Sequence, residues 1–394
     1  MAFPAFALNK AHEQAKFETW LQTTVWPRAH ALDVPRDVFE NALGTTPLHF
    51  AIPGVAYPGQ TQNQDQAEFR SPARYFRQDN LTATARIGAG LAQKHAQTLQ
   101  QLQKDTGVPG RILLAIWGRE SGFGNVAIKH NAFQVLGTRA FYDGGEYLLG
   151  ELLAALQIAH MGHAPTADIK SSWAGALGQP QMMPRSFMAY ARDGTGDGRA
   201  DIWGSQRDTL ASIANFLQVH AWAPKRDWGF EVTLPPDIPC HLEGPDNARP
   251  IAEWVAMGIK RVGGRAFPAH ELPQNGSLML PAGRYGPAFI VTPNFYVIKR
   301  YNHSDAYALY VGHSGDKIEW GVQPFATPWR DVDKLRRGDV AQIQRALESL
   351  GHDVGGADGL AGFKTRRSIG KWQAQNGQDA TCYPSQALLQ ELGG

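Results

Sequence analysis

The sequence predicts a mainly α-helical protein with a small β-containing part and a C-terminal three-helix bundle. Across residues 1–225, apolar side chains recur at helical spacing and glycine-rich turns separate the runs. Residues 226–325 are rich in Pro and Gly and contain short β-prone runs. The segment after residue 330 contains three further amphipathic stretches. These three observations define the predicted fold class.

Length, charge and apolar patterning limit the classes of protein to which this chain could belong. A chain of 394 residues favours more than one folding unit. The net charge of +2 gives no reason to expect a nucleic-acid binder. No apolar run approaches the roughly 20 residues that a membrane helix needs, so we expect no transmembrane segment. The apolar residues 1–7 are too short for a signal-peptide core. Cys240 and Cys382 are too few for a disulfide framework, and the sequence leaves their pairing open.

The first predicted helices lie in residues 1–107. Phe17, Trp20 and Leu21 stand at helical spacing. A second stripe runs from Ile87 to Leu102 and predicts one longer helix that ends near Gly107. Residues 53–74, rich in Gln, Pro and Gly, predict an extended surface connection between the two.

Residues 108–225 predict helices separated by glycine turns, and residues 226–325 predict a small β-containing part. Apolar stripes at 112–117, 152–158 and 210–217 give three helices. The runs 289–292 and 307–310 are β-prone. A break at 324–330 is followed by predicted helices at 340–350, 364–374 and 385–392, which form the bundle of residues 331–394.

Glu120 is the first candidate catalytic residue. It ends an apolar helix, and Gly122 and Gly124 follow at once, so backbone or substrate can approach closely. A carboxyl beside Trp117 and Phe123 is expected to be partly desolvated, which raises its pKa toward the range that a general acid needs. The alternative is a structural helix-end Glu paired with Arg119 or another cation.

The second candidate is the small-residue stretch at 171–184. Its sequence, Ser-Ser-Trp-Ala-Gly-Ala-Leu-Gly-Gln-Pro-Gln-Met-Met-Pro, lets backbone pass close to a flat partner. Gln179 and Gln181 would then offer amide hydrogen bonds to sugar hydroxyl and acetamido groups. The alternative is a tight packing turn between helices.

Three ordered blocks carry a resemblance to a known family. Residues 116–124 (Ile-Trp-Gly-Arg-Glu-Ser-Gly-Phe-Gly), 173–184 and 294–304 (Asn-Phe-Tyr-Val-Ile-Lys-Arg-Tyr-Asn-His-Ser) resemble the lytic murein transglycosylase B family. The resemblance implies a catalytic domain at 1–325, with a helical α subdomain at 1–107, a lysozyme-like core at 108–225 and a small β-containing subdomain at 226–325. Residues 358–373 resemble the helical peptidoglycan-binding domain, which implies such a domain at 331–394.

The resemblance also implies an activity and a set of site residues. Glu120 would act as acid and then base in non-hydrolytic cleavage between N-acetylmuramic acid and N-acetylglucosamine, which leaves a 1,6-anhydro end and needs no cofactor. Ser172 and Gln181 would lie near the cleavage point. Substrate would also contact Tyr147 and, from the third block, Tyr301, Asn302 and Tyr307.

Location and partners follow from the same resemblance. The protein is expected in the periplasm, its leader absent or trimmed, with peptidoglycan glycan strands as its partner. Cell-wall synthesis or secretion complexes are further candidate partners. The sequence departs from the family pattern at Pro180 and Met182, and Asp143 and Gly144 replace an arginine pair that would meet acidic parts of the substrate.

A metal-loop candidate lies at 193–201, where Asp-Gly-Thr-Gly-Asp-Gly-Arg-Ala-Asp follows the start of an EF-hand. Position 12 is Gly204 instead of Glu. By resemblance to a relative, a later Asp would complete a structural calcium site. The predicted ligand positions are Asp193, Thr195, Asp197, Arg199 and Asp208. The alternative is a capped, solvated Asp/Gly turn without metal.

Two other functions are also compatible with the sequence. A hydrolytic muramidase would use water and a second carboxylate, for which Glu146 and Asp168 are the candidates. A non-catalytic peptidoglycan-binding protein would not need Glu120 at all. A muramidase would leave reducing ends on digested wall instead of anhydro ends, and a non-catalytic protein would keep its cellular role in the Glu120→Gln variant.

Overall fold

The computed structural model describes residues 9–58 and 72–393. Most of the predicted connection at 53–74 therefore lies outside the described residues. The helices are α1 (Lys10–Trp20), α2 (Trp26–His30), α3 (Arg36–Phe39), α4 (Gln78–Lys94), α5 (Ala96–Thr106), α6 (Gly110–Ser121), α7 (Ala132–Asp143), α8 (Glu146–His160), α9 (Pro184–Tyr190), α10 (Gln206–Val219), α11 (Ile251–Ala256), α12 (Pro293–Tyr301), α13 (Asp305–Trp320), α14 (Arg337–Ser349), α15 (Phe363–Gln375) and α16 (Gln386–Leu392). The strands are β1 (His130–Asn131), β2 (Lys170–Ser171), β3 (Gly229–Thr233), β4 (Arg249–Pro250), β5 (Lys260–Arg261), β6 (Asn275–Met279), β7 (Pro281–Arg284) and β8 (Ala288–Val291). The predicted, mainly α fold class is confirmed.

The described residues form two compact units. The first unit holds residues 9–58 and 91–219, and the second holds residues 72–90 and 220–393. The domain boundaries predicted from the sequence stay predictions. No helix in the described part of the chain is long and apolar enough to cross a membrane.

The core of the first unit surrounds α6, α7 and α8. Helix α6 begins after Pro109 and buries residues 112–117 on all sides. A neighbouring apolar cluster packs Phe17, Phe133 and Leu152 together. Each such side chain contributes about 1.5–3 kcal/mol when it leaves water. The central helix is therefore a rigid base for whatever stands at its end.

The single helix predicted from Ile87 to Leu102 is wrong. Helix α4 ends at Lys94 and α5 begins at Ala96, because His95 leaves the helical region at φ −104° and ψ 20°. The His95 ring lies 2.9 Å from Gln206 Oε1 and meets the edge of Trp117, so tertiary contacts override the helical pattern. Ile87, which the predicted stripe included, is 41% exposed.

The second unit contains a five-stranded antiparallel sheet with strand order β4-β6-β8-β3-β5. Strand β8 lies at its centre and is buried throughout, which confirms the β-prone run at 289–292. The β interpretation of 307–310 is wrong, since these residues lie in α13. Ser304 caps that helix by accepting a hydrogen bond from the Tyr307 backbone N–H, and the cap outweighs local β propensity.

The C-terminal module, residues 336–393, has the three predicted helices as α14, α15 and α16. Its core contains Ile343, Leu347, Ile369 and Leu388. Residues 321–336 form no regular element, in agreement with the predicted break.

A disulfide and a buried ion pair join this module to the rest of the second unit. Cys240 and Cys382 form the disulfide across a sequence separation of 142 residues, and both side chains are fully buried. Beside it, the Arg366 guanidinium donates to the Glu243 carboxylate at 3.0 Å. Burial disfavours the charged guanidinium, but attraction to Glu243 and Asp305 outweighs it and raises the pKa of Arg366. The cysteines that the sequence left open are paired.

Candidate active site

Helix α6 places Glu120 in its last turn, next to the C-terminal cap. The Glu120 side chain is half-buried, one turn after the fully buried Trp117. Since residues 112–117 of α6 are buried, the helix that carries the carboxyl is anchored in the core of the first unit. A catalytic carboxyl needs such a base, because small displacements of a reacting group reduce the rate strongly.

The turn after Glu120 has an unusual backbone. Gly122, Phe123 and Gly124 all adopt positive φ, at 56°, 61° and 79°. For Phe123 this conformation costs about 1–2 kcal/mol. The cost is offset by burial of the Phe123 ring, whose edge packs against Trp117 at a centroid distance of 5.6 Å. Backbone strain of this kind concentrates at functional sites, so the turn supports a functional role for its neighbour Glu120.

Gln179 links this turn to the small-residue stretch. Its Oε1 accepts from Trp117 Nε1 at 2.9 Å, and its Nε2 donates to the Trp203 carbonyl at 2.9 Å. A Cβ at Gly124 would lie 2.5 Å from Gln179 Oε1, which explains the glycine at that position. Gln179 is 8% exposed, and the protein itself engages both of its amide ends.

Ser172 and Gln181 lie on tight turns of the same stretch. Ser172 Oγ accepts from the Ala176 backbone N–H at 3.2 Å and its side chain is half-buried. Gln181 has a positive φ of 54° and its Nε2 donates to the Gly178 carbonyl at 2.9 Å. Paired backbone hydrogen bonds between Leu177 and Met182 close the second turn. The prediction of a packing turn and the prediction of a binding stretch are therefore compatible.

Helices α7 and α8 carry polar and aromatic groups that the sequence only partly indicated. Tyr147 is 58% exposed in the first turn of α8, which leaves its ring available to a ligand. Asp143 forms an ion pair with Arg139 at 3.3 Å, and the Arg139 guanidinium lies 5.9 Å from the Trp173 ring. Sequence reasoning missed Arg139 and the 48% exposed Trp173. The i, i+4 spacing of Arg139 and Asp143 was the signal that could have found the pair.

The predicted residues of the third block lie in the second unit. Tyr301 ends α12 and is half-buried, and the next residue, Asn302, is exposed. Tyr307 is only 2% exposed in the first turn of α13. Asn302 is thus the accessible member of the three, whereas Tyr307 packs in the interior of its unit.

The predicted calcium loop is organised by its own backbone. Asp193 accepts from the backbone N–H groups of Gly198, Gly196 and Thr195, and these bonds, led by the one from Gly198, lower its pKa to about 2. Asp208 is buried and caps the N–H groups of Gly194 and Asp201. Burial raises the pKa of Asp208.

Two of the other predicted ligand positions also form hydrogen bonds within the loop. Asp197 accepts from the backbone N–H of Arg199 at 2.9 Å, and Thr195 donates its hydroxyl to Asp193 at 3.0 Å. Across residues 9–58 and 72–393, no group of three or more His, Cys, Asp or Glu side chains could hold a metal ion. The loop is held in its turn by backbone hydrogen bonds to Asp193, and calcium binding there stays a prediction.

The two carboxylates considered for a hydrolytic mechanism are both exposed at the surface. Glu146 is exposed and paired with Arg28 at 2.7 Å. Asp168 is exposed at the end of a 3-10 turn.

Comparison with known families gives two matches along the chain. Residues 16–316 match the sequence model of the transglycosylase SLT domain. Residues 336–392 match that of a peptidoglycan binding domain.

Similar proteins and structures come from two bacteria. Membrane-bound lytic murein transglycosylase B of Escherichia coli (strain K12) is 32% identical over 219 residues, which are 54% of this chain and 57% of that protein. The crystal structure of SltB3 from Pseudomonas aeruginosa in complex with NAG-anhNAM-pentapeptide has a TM-score of 0.85 at 36% identity, covering 96% of this chain and 99% of that chain. The Escherichia coli lytic transglycosylase Slt35 in complex with bulgecin A has a TM-score of 0.59 at 24% identity, covering 78% and 92%, and supports the fold alone.

Proposed function

Because this chain belongs to the transglycosylase SLT domain family, we propose that it is a peptidoglycan lytic transglycosylase with Glu120 as its catalytic acid and base. Membership confirms the family that the three sequence blocks predicted. The observation that carries the residue assignment is the placement of Glu120, which stands half-buried at the end of a rigid helix beside a strained turn. The similar SltB3 structure holds a disaccharide with an anhydro sugar, NAG-anhNAM-pentapeptide, which is the type of product expected here.

The proposed reaction uses one carboxyl twice. Protonated Glu120 donates its proton to the glycosidic oxygen, and the bond from that oxygen to C1 of N-acetylmuramic acid breaks. The resulting Glu120 carboxylate accepts the proton of the C6 hydroxyl, and the C6 oxygen bonds to C1. The ring closes as a 1,6-anhydro sugar and Glu120 is protonated again. Since the nucleophile belongs to the substrate, the reaction needs neither water, a second carboxylate nor a cofactor.

Substrate binding is assigned to residues around α6 and to the third block. Ser172, Gln181 and Tyr147 would bind the sugars from the first unit. In the second unit, Tyr301 and Asn302 are the proposed substrate contacts, and the buried Tyr307 belongs to the interior of α13. Gln179 is better suited to position Trp117 and the strained turn than to bind sugar, because both of its amide ends bond to protein atoms.

The C-terminal module would hold the enzyme on its polymer. A second, weak site on the same polymer raises the local concentration of substrate at the first. Structural disulfides persist in oxidising compartments, so the buried Cys240–Cys382 bond supports a periplasmic location. Membership of a cell-wall synthesis or secretion complex is a further proposal, for which pull-down from envelope extracts is the test.

Calcium at 193–208 stays a proposal. Asp193 and Asp208 accept backbone N–H bonds, and an ionised carboxylate that does so still has lone pairs for a cation. Thermal unfolding with and without calcium tests this directly. An unchanged midpoint is expected for the capped turn, and a raised midpoint would establish a calcium site.

The decisive experiment compares Glu120→Gln with Glu146→Gln as a matched control. Purified cell wall is digested and the fragments are analysed by mass spectrometry. Wild type and Glu146→Gln should release 1,6-anhydro ends, whereas Glu120→Gln should release none and still bind wall. Reducing ends, or loss of activity in Glu146→Gln, would support the hydrolytic alternative. Full activity of Glu120→Gln would refute the assignment of Glu120.

A further inference from the structure

A cleft of about 460 Å³ lies within the second unit, between the segment that follows α12 and the C-terminal module. One wall is formed by residues 299–306 and the facing wall by residues 354–366. We call it the composite cleft. Neither matched region provides it alone, because the first wall falls in the transglycosylase match and the second in the peptidoglycan-binding match. The volume is within the range of about 300–1,000 Å³ that small ligands occupy.

The two walls are fixed to each other by buried contacts. Arg366 belongs to the module wall and is 3% exposed. Its guanidinium donates to Asp305 of the facing wall at 3.1 Å and to Glu243 at 3.0 Å. Lys299 extends the network through an ion pair with Asp305 at 2.6 Å. Together with the disulfide, these bonds give a preformed cleft, and a preformed site loses less conformational entropy on binding.

The lining has charges of both signs and an apolar part. Lys364 contributes a cation on the module wall, and Asp333 and Asp358 contribute anions. Val332 and Leu335 supply apolar surface. A neutral sugar chain has no charged groups to pair with the lysine and the aspartates of this lining. A short peptide with free carboxylates, an ammonium group and methyl side chains matches all three features.

We propose that the composite cleft, whose lining includes Asn302, binds the peptide stem of peptidoglycan, whereas Glu120 and the residues near it in the first unit act on the sugars. The proposal rests on the proposed function, since it names the part of the same substrate that the module recognises. The transglycosylase part would then act on the glycan while the cleft holds a stem of the same polymer. Wall that carries stems would be a better substrate than stem-free glycan.

Lys364 is the residue that best tests the charge argument. Its ammonium group pairs with Asp353 at 2.9 Å, and its side chain is 39% exposed, so it can reach a ligand carboxylate. Lys371 lies on the same helix, is exposed and is absent from the cleft lining. Lys371→Glu is therefore a matched control for Lys364→Glu.

The experiment uses the full chain in its oxidised form. A synthetic stem pentapeptide that carries a photoreactive group is crosslinked to the protein, and the attachment sites are mapped by mass spectrometry. Attachment within 299–306 and 354–366 is expected. Lys364→Glu should weaken binding of the unlabelled pentapeptide, measured by calorimetry, about tenfold, as expected for loss of one charge-assisted hydrogen bond. Lys371→Glu should bind like wild type.

Activity measurements separate this proposal from the proposed function. Lys364→Glu should cleave stem-free glycan at the wild-type rate and intact wall more slowly. Attachment only in the first unit, or equal pentapeptide binding by both lysine variants, would overturn the cleft proposal while leaving the enzyme assignment intact. Failure of wild type to cleave stem-free glycan to anhydro ends would instead overturn the proposed function.

Discussion

Removal of the Cys240–Cys382 disulfide should destabilise the second unit strongly. The change is the double variant Cys240→Ala/Cys382→Ala, which keeps both sites apolar. The bond spans 142 residues, and closing a loop of that length in the unfolded chain corresponds to about 5 kcal/mol in the chain-entropy model. Both sulfurs are fully buried, so lost packing adds to the effect. We expect the free energy of unfolding to fall by several kcal/mol. Loop closure accounts for at most about 5 kcal/mol of this decrease.

The assay is denaturant unfolding followed by circular dichroism and tryptophan fluorescence. Wild type should lose stability when a reductant is added, and the double variant should not respond to it. Because Arg366 still bonds to Glu243 in the variant, the module should remain docked in water but unfold at lower denaturant than the rest of the chain. A decrease below about 1 kcal/mol, or an equal response of both proteins to reductant, would refute the argument that loop closure stabilises this unit.

Three further predictions concern single side chains. Arg366→Leu should lower the free energy of unfolding by about 3–5 kcal/mol, because it leaves the buried Glu243 carboxylate without its cation and removes one of the two cations paired with Asp305; unfolding that matches wild type would contradict this. Gly124→Ala should reduce wall digestion at least about tenfold with wall binding retained, since its Cβ would lie 2.5 Å from Gln179 Oε1 at a φ of 79°; digestion at the wild-type rate would count against the strained turn. Burial lowers the pKa of His313 from 6.5 to about 4. As the pH falls, His313 therefore takes up a proton in the unfolded chain before it does so in the folded protein. The free energy of unfolding should decrease by roughly 3 kcal/mol between pH 6.5 and 4. Urea unfolding at both pH values checks this, and His313→Leu should be less sensitive to acid than wild type.

Local patterns predicted the elements whose contacts are mostly local. The helices of the module, the buried helix before Glu120 and the central strand at 289–292 all follow apolar spacing, and the structure has them close to the predicted positions. The β prediction for 307–310 failed because Ser304 caps a helix that begins at Asp305 and continues through this run. The single long helix failed at His95 because the His95 ring is held by Gln206, 111 residues away in sequence. In both cases a contact outside the run itself decided the backbone.

In the candidate site, too, contiguous motifs could be recognised from the sequence, whereas long-range contacts could not. The Glu120 assignment stays a prediction, and it could be made from the sequence because its block is contiguous and resembles that of a known family. The Arg139–Trp173 pair is a contact between α7 and the loop after β2, which no spacing in the sequence reveals. Arg366 stood inside the module's own motif, yet its carboxylate partners come from residues 243 and 305. Long-range pairs of this kind, the disulfide included, need the fold before they can be recognised.

The disulfide also sets an order of events during biogenesis. Cys240 is synthesised 142 residues before Cys382, which at 5–20 residues per second is a delay of about 7–30 s. During that interval Cys240 is a thiol without its partner, exposed to wrong pairing with other chains. Cys240 is completely buried in the native state, and its sulfur lies 3.3 Å from the Ala380 carbonyl oxygen of the module. The module therefore helps to cover this sulfur, and the yield of correctly paired enzyme should depend on how fast the module folds and docks.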